Sequence, residues 1–135
     1  MRRTIPLALI ACLALAGCSE SADDTARDCA AALTSRTGGD PADKPTVSQA
    51  EARVDAFDDT LADMVRQGHR EIAEEAADTV TGKSEEAGGT RPKACEPLSE
   101  DDFTVLVMAK TISGLGWTDE EGQFNKLKMA ERLGD

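Results

Sequence analysis

The sequence has few of the side chains on which most catalytic centres depend. Its 135 residues include no tyrosine, one tryptophan, three phenylalanines and one histidine. A nucleophilic triad needs a histidine beside its serine or cysteine, and His69 stands alone in the polar stretch "RQGHRE". Ser113 lacks the G-x-S-x-G frame of a hydrolase nucleophile. The composition therefore favours a protein that is not an enzyme, and the many acids leave a carboxylate-using hydrolase as the alternative.

Basic side chains are also scarce. Lys and Arg total 15 against 26 Asp and Glu, which gives a formal net charge of −11. Nucleic-acid binding is excluded because it requires clustered lysines and arginines. An acidic surface repels anionic lipid headgroups and attracts cations or basic partners. Its simplest role is solubility, so the charge alone identifies no partner.

The sequence contains no convincing metal motif, and we predict no cofactor. There is no Cys-X-X-Cys pair for zinc or redox chemistry. Gly122 follows acids as in an EF-hand, but that loop needs an oxygen ligand where Trp117 stands and a glutamate where Lys128 stands. A looser cation site on one helix face remains open, formed by Glu71, Glu74, Glu75 and Asp78.

No apolar run is long enough to span a membrane. The run from Ile5 to Leu15 follows Arg2 and Arg3 and is shorter than the roughly 20 residues that a spanning helix needs. We therefore predict an export signal. Twin-arginine export is a weaker alternative, because the residues after Arg3 do not extend that motif.

A cysteine follows this run directly, in the order Leu15-Ala16-Gly17-Cys18. These four residues resemble the lipobox of bacterial lipoproteins, and the alternative is an ordinary secretory signal. The resemblance implies that signal peptidase II recognises Leu15, Ala16 and Gly17 and cuts before Cys18. It also implies that the Cys18 thiol carries a diacylglyceryl group, with acyl chains such as palmitate.

Lipidation at Cys18 would place the protein on a membrane surface without spanning it. Two acyl chains give stable anchoring where one is marginal. We therefore expect attachment to the lipid bilayer, on the extracytoplasmic face of the cell membrane. Removal of residues 1–17 would make the chain two charges more negative, because it discards Arg2 and Arg3 and no acid.

The remaining cysteines predict a disulfide. Cys12 lies in the predicted signal and Cys18 would be a thioether, which leaves Cys29 and Cys95. Because an exported protein folds in an oxidising setting, we expect these two thiols to be bonded.

Apolar spacing predicts an all-α fold of about four helices with long polar linkers. We expect a signal peptide at 1–17, a lipidated stem at 18–28 and a small helical domain at 29–135. The linkers at 36–46 and 81–97 are rich in Gly, Pro and polar residues. No segment alternates with period two, so no sheet is expected. The alternative is two long helices with flanking disorder.

Each predicted helix has its own pattern. The first is short, from Asp23 to Leu33. The second is capped by Ser48 and runs to about Val80, with a bend or interruption near Gln67-Gly68. Its apolar stripe is Ala50, Val54, Phe57, Leu61 and Met64, continued by Ile72, Ala76 and Val80.

The third predicted helix, about Glu100 to Ser113, is apolar nearly all round and should be the buried centre, with Val107 inside it. Ser99 and Asp102 resemble a capping box at its start. A box at Thr118 and Glu121 would open the last helix, which runs through about Arg132, with Trp117 as an anchor at the preceding turn. Its core face would be Phe124, Leu127, Ala130 and Leu133.

The mature part resembles small, uncharacterised exported lipoproteins of actinobacteria. The similarity rests on "DCAAAL", "CEPLSEDDFTVLVMAK" and "GLGWTDEEGQFN" and covers most of residues 28–126. That group implies no catalytic residues. We expect a membrane-anchored, non-enzymatic interaction or binding module for an envelope protein or a basic partner; the alternative is a small cell-envelope hydrolase using carboxylates.

Overall fold

The computed structural model describes residues 22–133, and this range is all-α, as predicted. The helices are α1 (Ala22–Thr37), α2 (Val47–Arg66), α3 (Arg70–Ala87), α4 (Glu100–Gly114) and α5 (Lys126–Leu133), with a 3-10 turn at Lys93–Cys95. Between residues 22 and 133 there is no strand, only an isolated bridge between Thr118 and Phe124. The predicted signal peptide and the lipobox residues Leu15, Ala16, Gly17 and Cys18 lie outside the described residues.

Helix α1 is longer at both ends than the sequence suggests. Asp23 and Asp24 occupy its first turn, where carboxylates interact favourably with the helix dipole. The described part of the predicted stem is therefore helical from Ala22. Helix α1 ends at Thr37, and Gly38 follows with φ +77°. The first linker is accordingly shorter than the predicted 36–46.

Helix α2 begins with a capping box at Thr46, two residues before Ser48, the predicted cap. The Thr46 hydroxyl accepts from the Gln49 backbone N–H at 3.2 Å, and the Gln49 side-chain oxygen accepts from the Thr46 N–H at 2.9 Å. Thr46-x-x-Gln49 is a complete capping box, so Ser48 lies inside the helix. The predicted stripe is buried at Ala50, Val54, Phe57 and Met64 and half-buried at Leu61, whereas Ile72 in its continuation is 42% exposed.

The predicted interruption near Gln67-Gly68 is a full break between α2 and α3. Gly68 has φ +92°, a value that glycine adopts at no steric cost. Helix α3 then continues to Ala87, well into the predicted linker at 81–97. The polar residues of this segment lie mostly on the exposed face of α3. Its inner face packs on the core, where Ala87 is buried and the Ser84 hydroxyl donates to the Thr111 hydroxyl at 3.2 Å.

Helix α4 is the centre of the domain, as predicted, and it contacts α1, α2 and α3. Ser99 is its N-cap and accepts from the Asp102 N–H at 3.2 Å. Val107 is buried. A Cβ on Gly114 would lie 1.8 Å from the Thr37 carbonyl oxygen, so α1 and α4 meet at a point where only glycine fits.

The prediction that the last helix starts after Thr118 is wrong. The Asp119 Oδ1 accepts from the backbone N–H groups of Glu121 and Gln123, both at 2.9 Å. Gly122 has φ +81°, and the chain closes on itself at the Thr118–Phe124 bridge. Local aspartate-to-backbone hydrogen bonds thus form a turn in place of a helix.

Helix α5 therefore begins at Lys126, where Asn125 Oδ1 accepts from the Lys128 N–H at 3.0 Å. The later start changes which residues face the core. Met129 is buried, whereas Leu127 is 74% exposed and Ala130 is exposed. The predicted core positions of Leu127 and Ala130 are wrong for this reason.

The disulfide and the aromatic side chains complete the core. The Cys29 and Cys95 sulfurs are 1.99 Å apart, across 66 positions of sequence, and both residues are fully buried. The Trp117 ring stacks on Phe57 with centroids 6.0 Å apart, and Phe124 meets Phe57 edge-on at 5.5 Å. The predicted disulfide and the anchoring position of Trp117 are both confirmed.

Candidate functional site

A buried pair of opposite charges joins the loop before α2 to α2 itself. Arg53 Nη1 and Nη2 donate to Asp43 Oδ2 and Oδ1 at 3.0 and 2.9 Å, a bidentate arrangement. Arg53 Nη1 also donates to the Ala109 carbonyl of α4 at 2.9 Å. Arg53 is 5% exposed. One guanidinium thus connects the loop, α2 and the central helix.

A second cation, Lys110, lies against the same carboxylate. Its side chain is fully buried, and Nζ donates to the Asp43 backbone carbonyl at 2.6 Å. Nζ is also 3.7 Å from Asp43 Oδ2. We call Asp43, Arg53 and Lys110 the ionic cluster. It holds two cations and one carboxylate, an uncommon excess of buried positive charge in an acidic protein.

The cluster shifts the pKa values of its members. Burial acts to raise the pKa of Asp43, but the hydrogen bond and charge of Arg53, a hydrogen bond with Ser113 and the charge of Lys110 bring it below the usual 3.8. Burial lowers the pKa of Lys110 from 10.5, and the charge of Asp43 opposes that change only in part. Asp43 is therefore held as a carboxylate, which suits it to structural pairing.

Beside the cluster lies a groove with a volume of about 650 Å³. Its walls are the loop 40–45, one face of α2 and the turn 118–124, and Arg53 and Asp43 line it. A Cβ on Gly122 would be 3.0 Å from Arg53 Nη2 and 3.3 Å from Asp43 Oδ1. Glycine at 122 therefore lets the turn approach the buried pair closely.

The rim of the groove is acidic. Glu120 and Glu121 are exposed, and neither carboxylate makes a hydrogen bond or an ion pair within residues 22–133. Asp40 stands on the loop wall, where its Oδ1 accepts from the Ala42 N–H at 2.8 Å. Lys44 is the exposed cation on this lining. Acids thus outnumber exposed cations around the opening.

A second groove, of about 560 Å³, lies between α3 and α4. Phe103 and Val107 line it, and the Arg91 guanidinium lies 4.6 Å from the centre of the Phe103 ring. Arg91 Nη1 also donates to the Leu98 carbonyl at 2.8 Å. Arg91, the cation that lines this groove, is therefore already held by a hydrogen bond and by its contact with the Phe103 ring.

The other residues singled out from the sequence do not assemble into a site. His69 is exposed at the break between α2 and α3. The four acids Glu71, Glu74, Glu75 and Asp78 are exposed along α3. Across residues 22–133, no group of three or more His, Cys, Asp or Glu side chains is placed to hold a metal ion.

Sequence reasoning missed the ionic cluster, although two of its members left a signal. Lys110 interrupts the apolar run of α4. Arg53 shares the helical face of Ala50, Val54 and Phe57, since it follows Ala50 by three positions and precedes Phe57 by four. A cation on each of two core-facing helices predicts a buried acid between them. Asp43, in a linker, carried no such signal.

Comparison with protein-family models, with curated proteins and with solved structures finds no match to the chain. None of the helices within residues 22–133 combines the length and apolar character needed to cross a membrane.

Proposed function

We propose that the protein is a lipoprotein attached through an acylated Cys18 to the extracytoplasmic face of the cell membrane, with its helical domain acting as a non-enzymatic binding module. The observation that carries this proposal is the order of the first 18 residues: a positive start, an apolar run, two small residues and a cysteine. The chain is already helical at Ala22, four positions after Cys18. The domain would therefore lie close to the bilayer.

The buried disulfide supports export. Such bonds persist in oxidising compartments and are rare in reducing ones. Cys29 and Cys95 are both fully buried and already bonded to each other. An exported chain would thus keep Cys18 as its only thiol outside the predicted signal peptide and the disulfide.

The electrostatics of the larger groove support binding over carboxylate catalysis. A general acid in a hydrolase needs a raised pKa so that it carries a proton at neutral pH. Asp43 has a lowered pKa and is engaged by Arg53. The pKa of Asp58 is raised by burial and by the charges of Asp55 and Asp59, but Asp58 lines neither groove. The hydrolase alternative therefore gains no support from these groups.

The test of the proposal is replacement of the lipidated thiol. In a bacterial host fed an alkyne-tagged fatty acid, the wild type should carry the tag and partition with membranes. Cys18→Ser should lose the tag and remain as the longer, uncleaved precursor. The matched control is Cys12→Ser, which removes a thiol from the apolar run and should keep both the tag and the processing.

Equal labelling of Cys18→Ser and the wild type would refute the lipoprotein assignment. Cleavage of Cys18→Ser without a tag at any position would instead indicate an ordinary secretory signal. Each readout concerns only the anchor, so it does not depend on what the domain binds.

A further inference from the structure

The groove beside the ionic cluster combines an acidic rim with a small-residue wall. On α2, Ala52 and Ala56 are exposed and line the groove next to Arg53. Their short side chains leave room above the helix, and the half-buried ring of Phe124 also lines the groove. A volume of about 650 Å³ is within the range of ligand-binding clefts. The groove can therefore accept the aliphatic stem of a long side chain.

The charges around the opening select the sign of the occupant. The side chains of Glu120 and Glu121 make no hydrogen bond or ion pair with the rest of residues 22–133, and Asp40 lines the same groove. Asp43 is neutralised by its bidentate contact with Arg53. The lining thus presents free carboxylates at the rim, so a ligand that carries positive charge is favoured.

A buried donor without an acceptor belongs to one residue of the lining. Arg53 lines the groove and is 95% buried, since it is 5% exposed, and its Nε has no hydrogen-bond partner. A buried N–H without an acceptor is costly, and a carbonyl oxygen would satisfy it where the packing around Arg53 Nε opens. A free metal ion offers no acceptor, whereas a peptide offers carbonyl oxygens along its length.

We propose that this groove binds a lysine- or arginine-bearing peptide segment of a partner protein. Aliphatic stems of the basic side chains lie against Ala52, Ala56 and Phe124, and their cationic ends meet the carboxylates of Glu120 and Glu121. A peptide carbonyl accepts from Arg53 once the turn 118–124 shifts outward at Gly122. This inference rests on the proposed binding function, for which it names the class of partner.

The test is a titration of the purified full chain in detergent, read by fluorescence anisotropy. The probe is a fluorescein-labelled octapeptide of alternating lysine and alanine, and the same peptide with glutamate replacing lysine is the charge control. The groove variant is Glu120→Gln combined with Glu121→Gln. The matched variant is Glu74→Gln combined with Glu75→Gln, which makes the same charge change on the exposed face of α3.

The lysine peptide should bind the wild type and the glutamate peptide should not. The groove variant should weaken lysine-peptide binding about fivefold, because each exposed ion pair contributes modestly, while the α3 variant should change it less than about twofold. Equal weakening by the two variants would overturn the proposal, since the peptide would then respond to overall charge. Complete displacement of the peptide by millimolar calcium chloride would also overturn it, because a metal ion would then be the occupant.

Sedimentation of the same samples tests the remaining occupant, a second copy of the chain. Self-association of the wild type that the groove variant abolishes would overturn the peptide proposal. Monomers in both samples would agree with it. None of these outcomes changes the expected labelling of Cys18. Failure of the groove proposal is therefore distinguishable from failure of the proposed lipid anchor.

Discussion

The two ends of α4 are held in the fold by different kinds of interaction. At the start of α4, which we call the disulfide end, Cys95 bonds to Cys29 and Phe103 packs under Arg91. At its far end, Lys110 and the Ala109 carbonyl hold Asp43 and Arg53. The first end relies on a covalent bond and apolar burial, neither of which titrates. The second relies on charges, so only the end beside the larger groove should respond to pH.

This difference assigns separate tasks to the two ends. A covalent bond stabilises mainly by restricting the unfolded chain. A buried ion pair contributes little net stability, because desolvation offsets the attraction between the charges, yet it requires one geometry. The ionic cluster fixes the loop 40–45 against α2 and α4, and this loop forms one wall of the groove. We infer that the disulfide end supplies stability and the ionic end supplies shape.

The largest expected effect is at the disulfide end. Cys29→Ala combined with Cys95→Ala should lower the free energy of unfolding by about 4 kcal/mol, because the bond closes a loop with a sequence separation of 66. For a domain of this size, the melting temperature should fall by about 20 °C. Thermal unfolding followed by circular dichroism measures this change.

Reductant provides the control for the double variant. It should lower the melting temperature of the wild type toward that of the double variant and leave the double variant unchanged. A wild type that melts at the same temperature with and without reductant would mean that the disulfide end does not depend on its bond.

At the ionic end, Arg53→Met should lower the free energy of unfolding by about 3 kcal/mol, since it leaves the Asp43 carboxylate, whose side chain is 14% exposed, without its main partner. The matched control is Arg66→Met, because Arg66 pairs with Asp63 on the exposed surface of α2. That variant should cost less than about 0.5 kcal/mol. Urea unfolding at neutral pH measures both, and equal costs would contradict the assignment of the cluster to the core.

The same pair of proteins should show the pH dependence of the cluster. The pKa of Asp43 in the folded state lies below 3.8, so its contribution is complete above that pH and is lost as the pH falls through the folded value. The stability difference between the wild type and Arg53→Met should therefore shrink in acid. A constant difference down to low pH would show that Asp43 is not the partner that matters.

The smallest expected effect is at Lys110, the surplus cation. Lys110→Met should change the free energy of unfolding by less than about 1 kcal/mol at neutral pH, because the loss of one hydrogen bond is offset by removal of a buried charge. The pKa of Lys110 in the folded state lies below 10.5. Between that folded value and pH 10.5, the unfolded chain therefore binds more protons than the folded chain. Wild-type stability relative to the variant should therefore increase over that range. A relative decrease there would contradict a lowered pKa of Lys110 in the folded state.

The elements that sequence reasoning predicted well have a strong periodic signal. Helix α4 is apolar on nearly every face and proved to be the centre, and the α2 stripe proved to be buried. The errors lie where local chemistry competes with periodicity. Asp119 forms a turn at a position that also fits a helix start, and polar residues after Val80 remain helical because they lie on an exposed face. The ionic cluster depends on a contact between Asp43 and Lys110 across 67 positions, which no local pattern encodes.

The Cys29–Cys95 bond also determines what proteolysis can release. Every loop between α1 and the 3-10 turn lies inside the covalent ring that this bond closes. A single cut in any of those loops leaves both fragments in one molecule, because the fragment that carries α4 and α5 stays bonded through Cys95 to Cys29 of the N-terminal fragment. A single cut frees a fragment only outside the ring, either before Cys29 or after Cys95, as in the turn 118–124. For a chain anchored at Cys18, a single cut after Cys95 would remove only the C-terminal end, whereas release of most of the domain would require a cut before Cys29 or a cut inside the ring followed by reduction.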